Sequence, residues 1–160
     1  MRRVIIPVLS ICALVSVASA EPFVVIVRHA EKAANDPKDP DLSASGRARA
    51  EMLANIVKDA GISAIFVSEF KRTQETAEPT AKISGLTPTI VPGKDTAGLL
   101  ARLREVKGNA LVVGHGNTIP DIIKALGIET PIQIPDDDYG DLFVVTLGGK
   151  PQLLRLHYPK

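Results

Sequence analysis

Two histidines and two arginines follow short β-branched runs in this 160-residue sequence. Arg28-His29 follows residues 23–27. Ser68-Glu69-Phe70-Lys71-Arg72 follows residues 64–67, and Gly114-His115-Gly116 follows residues 110–113. A phosphate dianion needs dense positive charge, and arginine supplies planar, permanently charged donors that match its oxygens. A neutral imidazole attacks phosphorus through one nitrogen while a hydrogen bond at the other fixes its tautomer. That chemistry passes through a phosphohistidine, so one hard displacement becomes two easier ones. Singly, each residue has a plain structural alternative. Arg72 suits an ordinary ion pair on a helix surface, and the glycines around His115 suit a structural turn as well as a close approach of backbone to ligand. The combination is more specific than its parts.

The elements that must position these groups are readable from periodicity. Residues 23–27 form a continuous apolar run, the pattern of a strand buried on both faces. Residues 28–41 read as a loop. Ser43 is a candidate N-cap, and Ala48, Met52, Leu53, Ile56, Val57 and Ala60 recur at helical spacing up to a stop at Gly61. Residues 64–67 form the next strand, followed by a helix over about 70–77 that Pro79 limits or kinks. A third strand is expected at 89–91, a helix between Asp95 and Lys107, a strand at 110–113 and a short helix at 119–126. Residues 141–147 and 152–157 read as a closing hairpin around Gly148-Gly149. The expected fold is α/β in three layers, a mainly parallel central sheet flanked by helices with a C-terminal antiparallel hairpin. Ligands of such sheets sit beyond the carboxyl ends of the strands, where the histidines and arginines fall.

These motifs resemble the histidine phosphatase superfamily, also called phosphoglycerate-mutase-like. Arg28-His29-Ala30-Glu31 matches its opening signature, residues 42–47 its segment before the first long helix, residues 68–77 its Ser-x-x-x-Arg pattern, and Gly114-His115-Gly116 its second histidine motif. The resemblance implies that His29 is the phosphorylated nucleophile and that Arg28, Arg72 and His115 form the phosphate pocket. Asn35 falls where many members carry a phosphate-contacting asparagine. Ser68 either orients the pocket or caps a helix. The glutamate acid of the mutases is not recognisable after Arg72. The first candidate for proton donor is therefore Asp95, which is equally read as the cap of the 95–107 helix. Asp121 reads as a first-turn helix residue, Asp136, Asp137 and Asp138 as a solvated loop or a lid, Glu31 as an arginine partner, and His157 as structural.

Composition bounds the rest. Residues 1–20 carry Arg2-Arg3, an apolar run and Ala18-Ser19-Ala20, the pattern of a secretory signal peptide. Residues 21–160 are then one histidine-phosphatase-like domain. Without Arg2 and Arg3, Lys+Arg falls from 19 to 17 against 18 acids. That balance argues against nucleic acid or a basic membrane patch as partner. The single cysteine, Cys12, lies in the signal, so no thiol or disulfide chemistry is expected of the domain. No metal-ligand spacing is evident, and no cofactor or metal is expected. No second apolar stretch is long enough to span a membrane once the signal is removed. The protein is expected to be exported, periplasmic or secreted, and to hydrolyse a phosphomonoester on an extracytoplasmic substrate. Candidates are a phosphorylated small molecule or an envelope glycan or protein. The alternatives are a non-catalytic phosphate- or phosphosugar-binding module, and a phosphotransferase or mutase.

Overall fold

The computed structural model describes residues 21–158. The expected signal peptide and Cys12 lie outside the described residues. Ten elements follow in order: β1 (Phe23–Arg28), α1 (Ala44–Val57), β2 (Ile62–Val67), α2 (Lys71–Ser84), β3 (Thr89–Ile90), α3 (Thr96–Glu105), β4 (Asn109–Gly114), α4 (Ile119–Ala125), β5 (Asp141–Thr146) and β6 (Leu153–His157). The six strands form one sheet in the order β3-β2-β4-β1-β5-β6. β3, β2, β4 and β1 pair in parallel, whereas β5 and β6 run antiparallel.

The sheet separates two cores, which gives the three layers. On one face Val24 and Ile26 pack with Leu99 and Leu103 of α3 and Ile119, Ile122 and Ile123 of α4. On the other, Val25 and Val27 pack with Leu53 and Val57 of α1 and Ala77 and Ala81 of α2. Alternate side chains of β1 thus enter opposite cores, which is why its sequence is apolar throughout. Among the described residues, no helix is long and apolar enough to cross a membrane.

Ser43 caps α1 by accepting from the Gly46 amide at 3.0 Å, a contact of about 1 kcal/mol. The helix ends at Val57, one turn before Gly61. The expected end of the second helix near Ala77 is corrected: α2 runs through Pro79 to Ser84 and stops at Gly85, whose φ of 65° suits glycine. Proline removes one backbone donor, but the buried stripe Thr73, Thr76, Ala77, Thr80 and Ala81 continues at helical spacing past it. Tertiary packing on α1 therefore carries the helix across a local breaker.

Candidate active site

Because β1, β2, β3 and β4 are parallel, their carboxyl ends lie along one rim. Arg28 pairs with Gly114 in register, and the His29 amide donates to the Gly114 carbonyl at 2.9 Å. The Ala30 amide donates to Thr76 Oγ1 at 2.9 Å, tying the end of β1 to α2. These bonds bring residues 28–30, the first turns of α2 and the end of β4 together.

His29 and His115 face each other with ring centroids 5.3 Å apart. Both are buried, at 4% and 8% exposure. His29 Nδ1 lies 2.8 Å from the Ala30 carbonyl oxygen, which only accepts. In this geometry Nδ1 carries the proton and Nε2 keeps its lone pair. Burial lowers the His29 pKa to about 3, helped by His115, Arg72 and Arg28 and opposed by the Ala30 carbonyl. Burial followed by Arg72 lowers that of His115 to about 4. Both rings are neutral at ordinary pH, as a nucleophile requires.

His115 Nε2 is 2.9 Å from Ser68 Oγ, which also meets Thr73 Oγ1 at 2.9 Å and accepts from the Phe70 amide. Ser68 thus touches the second histidine directly, while the N-cap of α2 is Phe70. Phe70 packs edge-on against His115 and lies under the Arg72 guanidinium, 4.3 Å from its Cζ. Arg72 Nη1 is 3.7 Å from Asp39 Oδ1. Arg28 Nη1 donates to the carbonyls of Pro135 and Asp138, each at 2.9 Å. The Nε atoms of Arg28 and Arg72 are buried and have no hydrogen-bond partner among the described residues. Two guanidinium groups beside a neutral imidazole have the chemistry to hold a tetrahedral oxyanion.

Four of the six residues expected from the sequence meet here: Arg28, His29, Arg72 and His115. Asn35 is exposed and exchanges two hydrogen bonds with Asp41, so its amide is engaged away from these four. Asp95 caps α3, its Oδ1 accepting from the Gly98 amide at 2.8 Å, and lines a small cavity together with Ser68, Gly93 and His115. Glu31 pairs with buried Arg49 at 2.7 Å.

Two neighbours of the site were not singled out from sequence. Glu69 accepts from the Gly93 amide at 2.7 Å. Hydrogen bonds to its own amide and that of Gly93 hold its carboxyl below the usual range. Its position directly after Ser68 was the available signal. Tyr139 lies 5.9 Å from His29, centroid to centroid, and 4.3 Å from Arg28 Cζ. It belongs to the aspartate-rich loop, and nothing in its local sequence signals the contact.

Among the described residues, one group could hold a metal: Asp138, Asp141 and His157, with ligand atoms within 4.8 Å of one another. Arg155 already binds both Asp141 oxygens at 2.7 Å, so the donor set is an ion-pair cluster before it is a cation site.

Comparison with known proteins agrees with this geometry. Residues 24–94 match the model of the histidine phosphatase superfamily (branch 1). The fold is similar to the protein histidine phosphatase SixA complexed with tungstate. Its TM-score is 0.70 at 22% identity, over 84% of this chain and 96% of that one. A mycobacterial glucosyl-3-phosphoglycerate phosphatase gives a TM-score of 0.63 at 15% identity, over 84% and 97%. A PE-PGRS family protein of Mycobacterium tuberculosis, PE_PGRS11, is 34% identical over 76 residues. That match covers 46% of this chain but only 13% of the relative's length. By motif, by the match over residues 24–94 and by fold, the chain is similar to the histidine phosphatase superfamily.

Proposed function

We propose that this chain hydrolyses phosphate monoesters through a phosphohistidine formed on His29. The carrying observation is the pair of buried arginine Nε–H groups, without a hydrogen-bond partner among the described residues, beside an imidazole whose Nδ1 is held by a backbone carbonyl. The phosphoryl group docks on Arg28 and Arg72, which neutralise charge as it transfers. His29 Nε2 bonds to phosphorus as the ester P–O bond breaks, and the leaving oxygen takes a proton from solvent water, which regains one when the second water attacks. Water then attacks the phosphohistidine, releasing inorganic phosphate and restoring neutral His29. The two guanidinium groups supply the cationic charge, so the reaction needs no metal. His115 acts as a donor to the transferring group. When Ser68 donates its hydroxyl proton to Nε2, His115 Nδ1 carries the hydrogen.

The substrate lies outside the cytoplasm in this reading. Its support is the basic start, apolar run and Ala18-Ser19-Ala20 of residues 1–20. Phosphate release by wild type and by His29→Ala, with and without chelator, tests the proposal. Metal-independent release that disappears in the variant is the expected result. Persistent release by His29→Ala removes the assigned nucleophile. Little turnover in either protein, with phosphate affinity retained, identifies a binding module. Transfer to a second acceptor faster than to water identifies a mutase.

One observation favours a second substrate, a phosphorylated histidine. Both carboxylates nearest His115 are engaged, Glu69 with the Gly93 amide and Asp95 with the Gly98 amide. A phosphorus–nitrogen bond with an imidazole leaving group needs less help from an acid than an alkoxide does. SixA is a protein histidine phosphatase. Comparing turnover of phosphohistidine and an alkyl phosphate separates the two readings.

A further inference from the structure

We infer that Tyr139 is a positioning residue that fixes the Arg28 guanidinium for the oxyanion, an assignment that rests on the phosphate-site reading above. Arg28 is a long, flexible side chain that loses rotamer freedom when it is fixed. Yet it is 92% buried (8% exposed), and three of its sides are held. Nη1 donates to two carbonyls, those of Pro135 and Asp138, at 2.9 Å each. Gly116 lies beside the stem, where an added β-carbon would sit in ordinary van der Waals contact with Nε and Cζ, 3.5 Å from each. The Tyr139 ring covers the guanidinium at 4.3 Å, a cation–π distance. This leaves Nε, which is buried and has no hydrogen-bond partner among the described residues, as the unsatisfied donor for an anion.

The loop that does this is itself anchored. Asp138 N donates to the Pro135 carbonyl at 3.0 Å, Gly140 N to Asp138 Oδ1 at 2.9 Å, and Tyr158 N to the Gly140 carbonyl at 2.9 Å. At residue 140 a β-carbon would run into the His157 ring and the Tyr158 carbonyl, so the chain turns into β5 with no slack. The Tyr139 hydroxyl makes no protein hydrogen bond among the described residues. The contact with Arg28 is therefore made by the aromatic face, and phenylalanine should reproduce it.

The test is calorimetric titration with inorganic phosphate, followed by kcat and KM on a phosphate ester, for Tyr139→Phe, Tyr139→Leu and Tyr139→Ala. Phe should stay within twofold of wild type. Leu, which fills the space without a π face, and Ala should each lose roughly 5- to 30-fold in phosphate affinity, the range of a desolvated cation–π contact. Unchanged melting temperatures for Phe and Leu separate positioning from folding. In an Arg28→Lys background, Tyr139→Leu should add less than a twofold loss, because its effect passes through the guanidinium. Leu binding phosphate as tightly as wild type overturns the inference. So does Phe binding as weakly as Ala, which would make the hydroxyl the working group. If wild type hydrolyses no ester, the functional reading fails, while the phosphate titrations still decide the role of Tyr139.

Discussion

Acidification should unfold this protein through its two active-site histidines. Burial and the neighbouring cations hold His29 near 3 and His115 near 4, against an ordinary value of 6.5 in the unfolded chain. As pH falls below 6.5, the unfolded chain binds protons before the folded one does. The stability that depends on these neutral rings is thus complete above about pH 6.5 and is lost as pH falls toward 4 and 3. Between pH 7 and 4.5 each ring protonates almost fully in the unfolded chain and little in the folded one. Linkage then costs about 2 kcal/mol per ring, or about 4 kcal/mol together. A domain is typically stable by about 5–15 kcal/mol, so this loss dominates its margin. Urea unfolding at pH 7 and 4.5 in phosphate-free buffer measures it. The control is the double variant His29→Gln/His115→Gln, which cannot titrate at these positions. Asp36 and Asp41, whose carboxyls are held low by hydrogen bonds, also destabilise the fold in acid, but equally in both proteins. The wild type should lose about 4 kcal/mol more than the variant over this interval. Equal losses would show that the rings are not held neutral, and the nucleophile argument would fall with them.

Further outcomes concern Asp95 and Gly46. Asp95→Asn keeps the cap on α3 and should leave turnover of a phosphate ester within threefold, because the carboxylate is engaged with the Gly98 amide. A loss of about 10²-fold or more would make Asp95 the proton donor. Gly46→Ala would press its β-carbon onto the Glu31 carbonyl oxygen, backbone that cannot move aside, and disturb the loop just after His29. Overpacking of this kind costs about 1–3 kcal/mol by urea unfolding. A variant of wild-type stability would refute this close packing of α1 on residue 31.

Much of this protein was determined by local sequence. The apolar run of β1, the Ser43 cap and the glycines ending α2 and flanking His115 are short-range signals, set by periodicity and by φ preferences within a few residues. The grouping of Arg28, His29, Arg72 and His115 was legible for the same reason, since each lies at or within five residues of a strand's carboxyl end and parallel strands end on one rim. What tertiary structure alone decided involves elements that are close only in space. Thr80 and Ala81 carry α2 past Pro79 through packing on α1, a helix that precedes it by more than a dozen residues. Tyr139 is the clearest case. β5 runs antiparallel to β1, with Leu142 opposite Val27. The strand therefore starts at the rim where β1 ends, and the preceding loop is delivered onto Arg28 from over a hundred residues away in the chain. Strand direction is fixed by side chains competing for two shared cores, a global choice that a window of a dozen residues does not contain.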